Sequence, residues 1–241
     1  TGAQVTAYVD DKQITPWVSF AARTGSTIRV KQVLEGFRYY VGFSGLMDVD
    51  RVIDSYSTNL ECRFGGFRGR PLIKGDRIGL KEPKVVGERF VPEEVIPSME
   101  QPHVLRVLEG PEFHYFTSEA INRLFEKKDH SWYIVSTKSN RTGIRLEGKP
   151  LIFRKEMDKS ITSEGILPGT IQVPGDGLPI FMLNERTIGG YARIGMVAKA
   201  DQDRLAHLKP KDKVFFQLIG IDEAERLWRQ KIELFYRTLP Q

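Results

Sequence analysis

Cysteine is nearly absent. The single Cys62 excludes an internal disulfide framework and a zinc site built on cysteines. The four histidines, His103, His114, His130 and His207, are scattered without the spacing of metal ligands, so no metal is expected. No apolar run approaches the roughly 18 residues of a membrane-spanning helix, and the longest, such as Val214–Ile219, are strand-sized. There is no Walker-type phosphate loop, no GxGxxG after a strand, no HExxH and no GxSxG elbow. An excess of one charge is also missing. Thirty-six basic residues face 31 acidic ones, a net charge of +5 spread along the chain. A nucleic-acid groove needs a stronger clustered excess with stacking aromatics, so no nucleic-acid or membrane partner is expected. The densest basic piece, Arg63–Lys74, interleaves Arg68 and Arg70 with glycines and reads as a solvated surface or, more sharply, an anion site.

Forty per cent of the 241 residues are hydrophobic, enough for a sizeable core in one large domain or two small ones. The opening Thr1–Val5 has neither a basic nor an apolar leader pattern, and the expected compartment is the cytoplasm. The chain starts without methionine and runs almost at once into strand-like sequence, so a processed chain or a piece of a longer polypeptide is expected.

The first third reads as β-structure. Gln4–Val9 alternates, Asp10–Lys12 turns, and Gln13–Phe20 runs on as a second strand. Thr27–Val30 and Phe37–Phe43 are two further β-rich runs. Residues 83–102 carry Pro83, Pro92, Pro97 and Pro102 with no sustained period, and read as a linker between a unit at 1–82 and a unit at 103–241. The second unit opens with a strand at Val104–Leu108. A helix capped by Thr117 or Ser118 follows to about Lys128. Strands are expected at Trp132–Val135, Gly143–Glu147, Ile171–Val173, Pro179–Leu183, Arg193–Ala198 and Val214–Ile219. A final helix starts at Asp222, with Ala224, Leu227, Trp228, Ile232 and Phe235 as its buried stripe. Many short strands with three short helices predict an antiparallel β-barrel or a pair of them.

Three polar, glycine-rich segments stand out among the apolar strands. In Ser139–Gly148, Arg141, Arg145 and Glu147 share parity and would project to one face of one strand. Two guanidinium forks beside a carboxylate suit a planar carboxylate, ureido or phosphate group, or form a plain salt-bridge ladder. Thr162–Pro179 reads as two glycine-punctuated turns around one strand, fixing Ser163, Glu164 and Gln172, or as tight turns at a barrel end. In Asn184–Tyr191, the pair Gly189-Gly190 allows close backbone approach and Thr187 and Tyr191 supply hydroxyls; a simple hairpin turn is the alternative.

The runs Ser139-Asn140-Arg141-x-Gly143-x-Arg145-Leu146-x-Gly148, Ser163-Glu164-Gly165, Gly169-x-Ile171-Gln172-Val173-Pro174 and Thr187-x-Gly189-Gly190-Tyr191 resemble one family. It is the family of KipA, allophanate hydrolase subunit 2 and the C subunit of 5-oxoprolinase. Thr1-Gly2-Ala3, Ser44-Gly45, Gly65-Gly66-Phe67, Gly69-Arg70 and Gly75-Asp76 match more loosely, in the right order. The resemblance implies a mainly β protein of two cyclophilin-like antiparallel barrels with a few short helices. The first barrel would lack its opening stretch, because a glycine-rich segment that usually precedes Thr-Gly-Ala is not in this sequence. Asn184, Arg186 and Ala192 depart from the Asp, Gln and Pro common in the family.

The resemblance further implies one subunit of an ATP-dependent enzyme that opens 5-oxoproline to glutamate. Its partners would be a KipI-like protein and a LamB/YcsF-like protein, the B and A subunits. The alternatives are carboxyl transfer involving a urea-like amide or carboxybiotin, and a non-catalytic KipA-type regulator that binds a KipI-type kinase inhibitor. Either chemistry needs donors aimed at a developing oxyanion, for which Arg141 and Arg145 are the candidates. Glu164 is the candidate base, provided burial raises its pKa. Ser139, Asn140, Ser163, Gln172, Thr187, Gly189, Gly190 and Tyr191 are the candidate substrate-binding residues.

Overall fold

The computed structural model describes residues 1–126 and 131–238. The expected end of the first helix near Lys128, and His130, lie outside the described residues.

The opening hairpin forms, but its second arm is short: β1 (Gly2–Val9) pairs with β2 (Lys12–Ile14). The strand predicted on to Phe20 stops before Pro16, whose missing N–H cannot join a ladder. The two predicted runs at 27–30 and 37–43 are one twelve-residue strand, β3 (Ile28–Tyr39), antiparallel to β1. Three register shifts let this long pair bend. A separate two-stranded ladder joins β4 (Leu46–Asp48) to β5 (Gly79–Lys81). Between them the basic piece folds back on itself. Asp76 takes a bidentate pair from Arg70 at 2.7 and 2.8 Å, and the Arg68 and Arg70 guanidinium groups lie over the Phe67 ring. That pairing, with the Ile73 N–H, holds the Asp76 carboxyl at about 2. Arg70 is thus occupied internally, which removes it from the anion site the sequence hinted at.

The second part is a closed barrel. Its strands are β6 (His103–Glu109), β7 (Tyr133–Val135), β8 (Gly143–Glu147), β10 (Thr170–Val173), β11 (Ile180–Met182), β12 (Ile188–Val197) and β13 (Lys213–Leu218). They run in the order β10-β11-β8-β7-β13-β6-β12, and β10 pairs with β12 to close the ring. Six of the neighbours are antiparallel; β6 and β13 run parallel, a departure from the all-antiparallel expectation. An eighth strand, β9 (Ser160–Gly165), pairs with the first half of β12. Its polar, exposed sequence reads as a loop, and only the long-range pairing makes it a strand.

Inward-facing residues fill the barrel. Phe116, Phe181 and Phe216 are fully buried, with Leu105, Ile144, Leu146, Ile171 and Ile194 around them. Phe216 touches Phe181 at 5.7 Å between ring centres and meets Tyr133 edge-on at 5.8 Å. α1 (Ser118–Phe125) starts where Thr117 Oγ1 accepts the Ala120 N–H, and buries Ala120 and Leu124 against the core. After β12, α2 (Gln202–Ala206) is preceded by Asp201, whose side chain is fully buried. Asp201 accepts from the Arg106 backbone and side chain at 2.9 Å, which outweighs burial and keeps its pKa below the usual range. α3 (Ile221–Thr238) forms as predicted, but its apolar stripe is only half-buried. Phe235, expected inside, is exposed.

The first part docks on the barrel through the end of β3. Gly36 has φ +82, and a Cβ there would stand 2.4 Å from Met99 Sδ and 2.9 Å from His207 Nδ1, so only glycine fits. The Phe37 N–H donates to His207 Nδ1 at 3.3 Å, and Arg38 donates to the Ala206 carbonyl. Burial and the nearby Arg38 charge hold the His207 pKa below its ordinary value.

Candidate functional site

The first polar segment does not put Arg141, Arg145 and Glu147 on one strand face. β8 begins at Gly143, so Arg141 sits in the turn before it and not on a strand with Arg145 and Glu147. The turn is pinned by Asn140, whose Oδ1 accepts the Thr142 and Gly143 N–H groups at 2.9 and 3.1 Å. Ser139 Oγ likewise accepts the Arg145 N–H at 3.0 Å and donates to the Ser136 carbonyl at 2.9 Å. Both side chains, predicted to bind substrate, are thereby engaged in local backbone geometry. Arg141 pairs through Nε with Glu185 at 2.8 Å, and the two loops are joined by a Leu183 N–H to Thr142 carbonyl bond of 3.0 Å. Burial depresses the pKa of Arg38 on β3, and the Arg141 charge adds to that shift. Glu147 accepts instead from Ser136 Oγ.

Arg145, by contrast, belongs to a row across four strands. It pairs with Ile180 on β11, Ile180 with Gln172 on β10, and Gln172 with Arg193 on β12. Directly paired residues share a sheet face. On β8, Ile144 and Leu146 belong to the core while Arg145 is exposed, so the row lies on the outside of the barrel. Gln172, flanked by core residues Ile171 and Val173, is nevertheless only 2% exposed. The start of β12 covers it. A Cβ on Gly189 would stand 2.4 Å from Gln172 Nε2, and Nε2 donates to the Tyr191 carbonyl at 3.3 Å. Gly190 meets Ser163 in the same way, with Oγ 3.0 Å from where its Cβ would be. Ile166 and Met182 join Ile180 as a small apolar cluster beside the row. The structure therefore brings Ser163, Gln172, Gly189, Gly190 and Tyr191 together, with Arg145 two strands from Gln172. Thr187 is exposed and uses its backbone carbonyl to accept the Ile166 N–H.

Glu164 does not have the burial its candidate role required. Its side chain is 56% exposed and lies 2.9 Å from Arg193 Nη1. Arg193 and Glu112 are the functional candidates that sequence reasoning missed. Glu112 accepts from Arg193 Nε and Nη2 at 2.7 Å each, and from the Arg193 backbone N–H at 3.0 Å. Burial raises the Glu112 pKa, but these bonds and the guanidinium charge outweigh it and the pKa ends below the usual range. The Glu112 bond is also the main cause that raises the Arg193 pKa. The two are 81 residues apart. The usable signal was parity: on β12, Arg193 follows Tyr191 at the two-residue spacing of one strand face. Among the described residues no cluster of three or more His, Cys, Asp or Glu could hold a metal ion, and no helix is long and apolar enough to cross a membrane.

On this wall Arg145 is the guanidinium open to solvent, a fit for polar recognition of amide or carboxylate groups, whereas the covered Gln172 amide ties β10 to β12. A closed barrel carrying such a wall beside a second, docked β-unit is the architecture of a carboxyltransferase domain. The chain belongs to that family: the model for the carboxyltransferase domain, subdomains A and B, matches residues 1–218.

Among relatives, the chain is 31% identical over 240 residues to the C subunit of the Escherichia coli 5-oxoprolinase, covering 99% of this chain and 74% of that protein. It is 26% identical to the C subunit of the Haemophilus influenzae 5-oxoprolinase, with 98% and 73% covered. It is 28% identical to the urea amidolyase of Saccharomyces cerevisiae, over 94% of this chain but 13% of that much longer protein. The crystal structure of the Kluyveromyces lactis urea amidolyase superposes with a TM-score of 0.88 at 22% identity, over all of this chain and 16% of that one, which shows the shared fold.

Proposed function

We propose that this chain acts as part of a 5-oxoprolinase, in which a protein of this kind works with a KipI-like partner and a LamB/YcsF-like partner in the cytoplasm. The observation that carries this reading is the 31% identity to the C subunit of a 5-oxoprolinase along 99% of the chain. The reaction is the opening of 5-oxoproline to glutamate at the expense of ATP. Its difficult moment is the negative charge that gathers on the lactam oxygen, and fixed cationic donors in a water-poor site stabilise that charge most effectively. In this reading Arg145 and Arg141 are those donors. Gln172, covered by the start of β12 and bonded to the Tyr191 carbonyl, orients the substrate only by fixing that backbone. Ser163, Thr187 and the Tyr191 hydroxyl would line the approach, and Gly189 and Gly190 let the start of β12 pack closely on Gln172 and Ser163. Glu164, exposed at the rim and paired with Arg193, lacks the burial on which the base role depended, and that role is left out of this reading. ATP is a co-substrate of the assembly in this reading.

A second reading is supported by the family itself and by the urea amidolyase relatives. It is a carboxyltransferase-type role toward a urea-like amide or a biotin ureido group. A ureido oxygen asks for the same donors, so Arg145 and Arg141 would serve there too.

The test is reconstitution. The protein is mixed with its KipI-like and LamB/YcsF-like partners, and glutamate release from 5-oxoproline is followed with ATP. Release that depends on all three supports the first reading. Arg141→Ala is then expected to lower the rate by about a hundredfold, in line with the loss of one oxyanion donor. Full activity of that variant would remove Arg141 from its role. A complex that forms without turnover would move the assignment to the second reading or to a KipA-type regulator.

A further inference from the structure

The stretch Arg154-Lys155-Glu156-Met157-Asp158-Lys159 mixes three cations with two carboxylates in sequence, and the fold sorts them. The stretch turns at residues 155–157 and, with Gly175, Asp176 and Gly177 of the loop after β10, bounds a cavity of about 410 Å³. Arg154, Lys155 and Lys159 line it, whereas Glu156 and Asp158 do not. Asp176 is the one carboxylate in the lining. Leu151, Ile152, Phe153 and Met157 supply its apolar part. The cavity shares no residue with the row of Arg145, Gln172 and Arg193.

The walls are fixed to the barrel. The Thr117 N–H donates to the Ile152 carbonyl at 3.0 Å, and the Arg154 N–H to the Tyr115 carbonyl at 2.8 Å. The Phe153 ring packs on the buried Phe116 ring at 4.5 Å between centres. The Leu151 N–H donates to the Gly177 carbonyl at 2.8 Å and ties the two walls together. Gly177 has φ +79, and a Cβ there would stand 2.5 Å from the Leu151 carbonyl oxygen, so this approach needs glycine. The cations are held by neutral acceptors. Arg154 Nε donates to the Phe116 carbonyl at 3.0 Å, and Lys159 Nζ to the Gly175 carbonyl at 3.3 Å. That leaves the Nη donors of the guanidinium and most of the ammonium donors for a ligand. No ion pair among the described residues involves Arg154, Lys155 or Lys159. Asp176 is partly spent, because its Oδ1 accepts the Leu178 N–H at 3.0 Å. Three cations thus face one carboxylate, an imbalance that a bound anion would neutralise.

We propose that this cavity binds a phosphate monoester, with the dianionic phosphoryl group accepting from Arg154, Lys155 and Lys159 and the apolar part resting on Ile152, Phe153 and Met157. A phosphate monoester carries a charge of about −1.5 to −2 at pH 7, which matches the excess of the lining. A guanidinium fork flanked by two ammonium groups is a donor set suited to such a group. A singly charged anion leaves part of the excess unmatched. The apolar floor under a few fixed polar groups is the usual make-up of a small-molecule site. The inference concerns binding alone and stands whichever reading of the row holds.

The experiment is a titration of the protein with phenyl phosphate at low salt and about pH 7.5, where the dianion dominates, followed by ligand-observed NMR. Benzenesulfonate, of similar shape with a single charge, and inorganic phosphate, without the ring, are the controls. Phenyl phosphate is expected to saturate near about 1 mM. It is expected to bind about tenfold more tightly than benzenesulfonate and about threefold more tightly than inorganic phosphate. Lys155→Gln combined with Lys159→Gln, both at exposed positions, is expected to weaken phenyl phosphate about tenfold while leaving the fold intact. Asp176→Asn keeps an acceptor for the Leu178 N–H and removes the opposing charge, and is expected to tighten binding about threefold. Lys12→Gln, an exposed cation on β2, is expected to change nothing, which separates the cavity from the general positive charge of the chain. The proposal is overturned by the absence of saturable binding, or by either control binding as tightly as phenyl phosphate. Weaker binding to Asp176→Asn, or a loss in Lys12→Gln equal to that in the double variant, overturns it as well.

Discussion

The two parts of the molecule spend similar sequence very differently. Both are rich in alternating β-runs. The barrel turns its alternation into a core of three phenylalanines and a ring of aliphatic side chains. In residues 1–98 the only buried apolar side chains are Ala3 and Ala7. Nineteen of the 28 large apolar side chains exposed among the described residues lie there, from Phe20 to Phe90. The difference teaches that alternation supplies a face, not a core. A sheet buries a face only against a second layer, and the sheet of β1, β2 and β3 has none among the described residues except at the His207 docking point. Closure gives the barrel both layers from one sheet.

The contrast is sharpest in core truncations. Phe216→Ala is expected to destabilise the protein by about 3–5 kcal/mol in urea denaturation, and Leu34→Ala by less than about 0.5 kcal/mol. Equal losses would break the comparison. Next in size are buried charges. Asp201→Ala leaves Arg106 without its partner and is expected to cost about 3 kcal/mol. The better-exposed Arg70–Asp76 pair of the first part should matter less, and the same denaturation series measures both. Gly189→Ala pushes a methyl into the covered Gln172 amide, with an expected cost of about 1–3 kcal/mol. Gly190→Ala meets the Ser163 hydroxyl at 3.0 Å and the Ile161 carbonyl at 3.1 Å, less tightly than at Gly189, and should be milder; the pair is read by thermal melting and by glutamate release.

The smallest effect is a dependence on pH. The pKa values of His103 and His207 are both lowered in the folded protein, chiefly by burial. The unfolded chain therefore takes up these protons first, near the ordinary imidazole value of about 6.5. Stability is complete above that value and declines as the pH falls from there toward the lower folded values. His207→Gln keeps an acceptor for the Phe37 N–H without titrating, and is expected to flatten the decline between about pH 7 and 5. An unchanged slope would show that the docking point takes no part in it.

Much of the barrel was legible in the sequence because its cues are local. Thr117 before an amphipathic run gives α1, and the apolar alternation at Gly143–Glu147 gives β8 with its bounds as predicted. β9 was not legible, since Ser160–Gly165 carries no apolar face and is a strand only because β12 lies beside it. The site divides along the same line. Gly189, Gly190 and Gln172 were singled out for a ligand, from glycines and polarity; the structure shows the close approach to be that of Gly189 to the Gln172 amide. Ser139 and Asn140 were singled out by composition, yet the same composition is what a pinned turn requires. Arg193 escaped notice because its partner Glu112 comes from a turn far upstream, and no local pattern announces a pair of that separation.

The parallel pairing of β6 with β13 has a consequence for how the protein is made. β6 is the first strand of the barrel to leave the ribosome and β13 the last, and in the finished ring β6 sits between β13 and β12. One edge of β6 (ending at Glu109) therefore stays unpaired until β12 begins at Ile188 and the other until β13 begins at Lys213, with Leu105 and Val107 waiting for their neighbours. The ring cannot shut stepwise behind the growing chain. It shuts at the end, by contacts of long sequence separation that close slowly. A chain released before Leu218 would keep β6 as an open, apolar edge, the kind of surface on which nascent chains stick to one another.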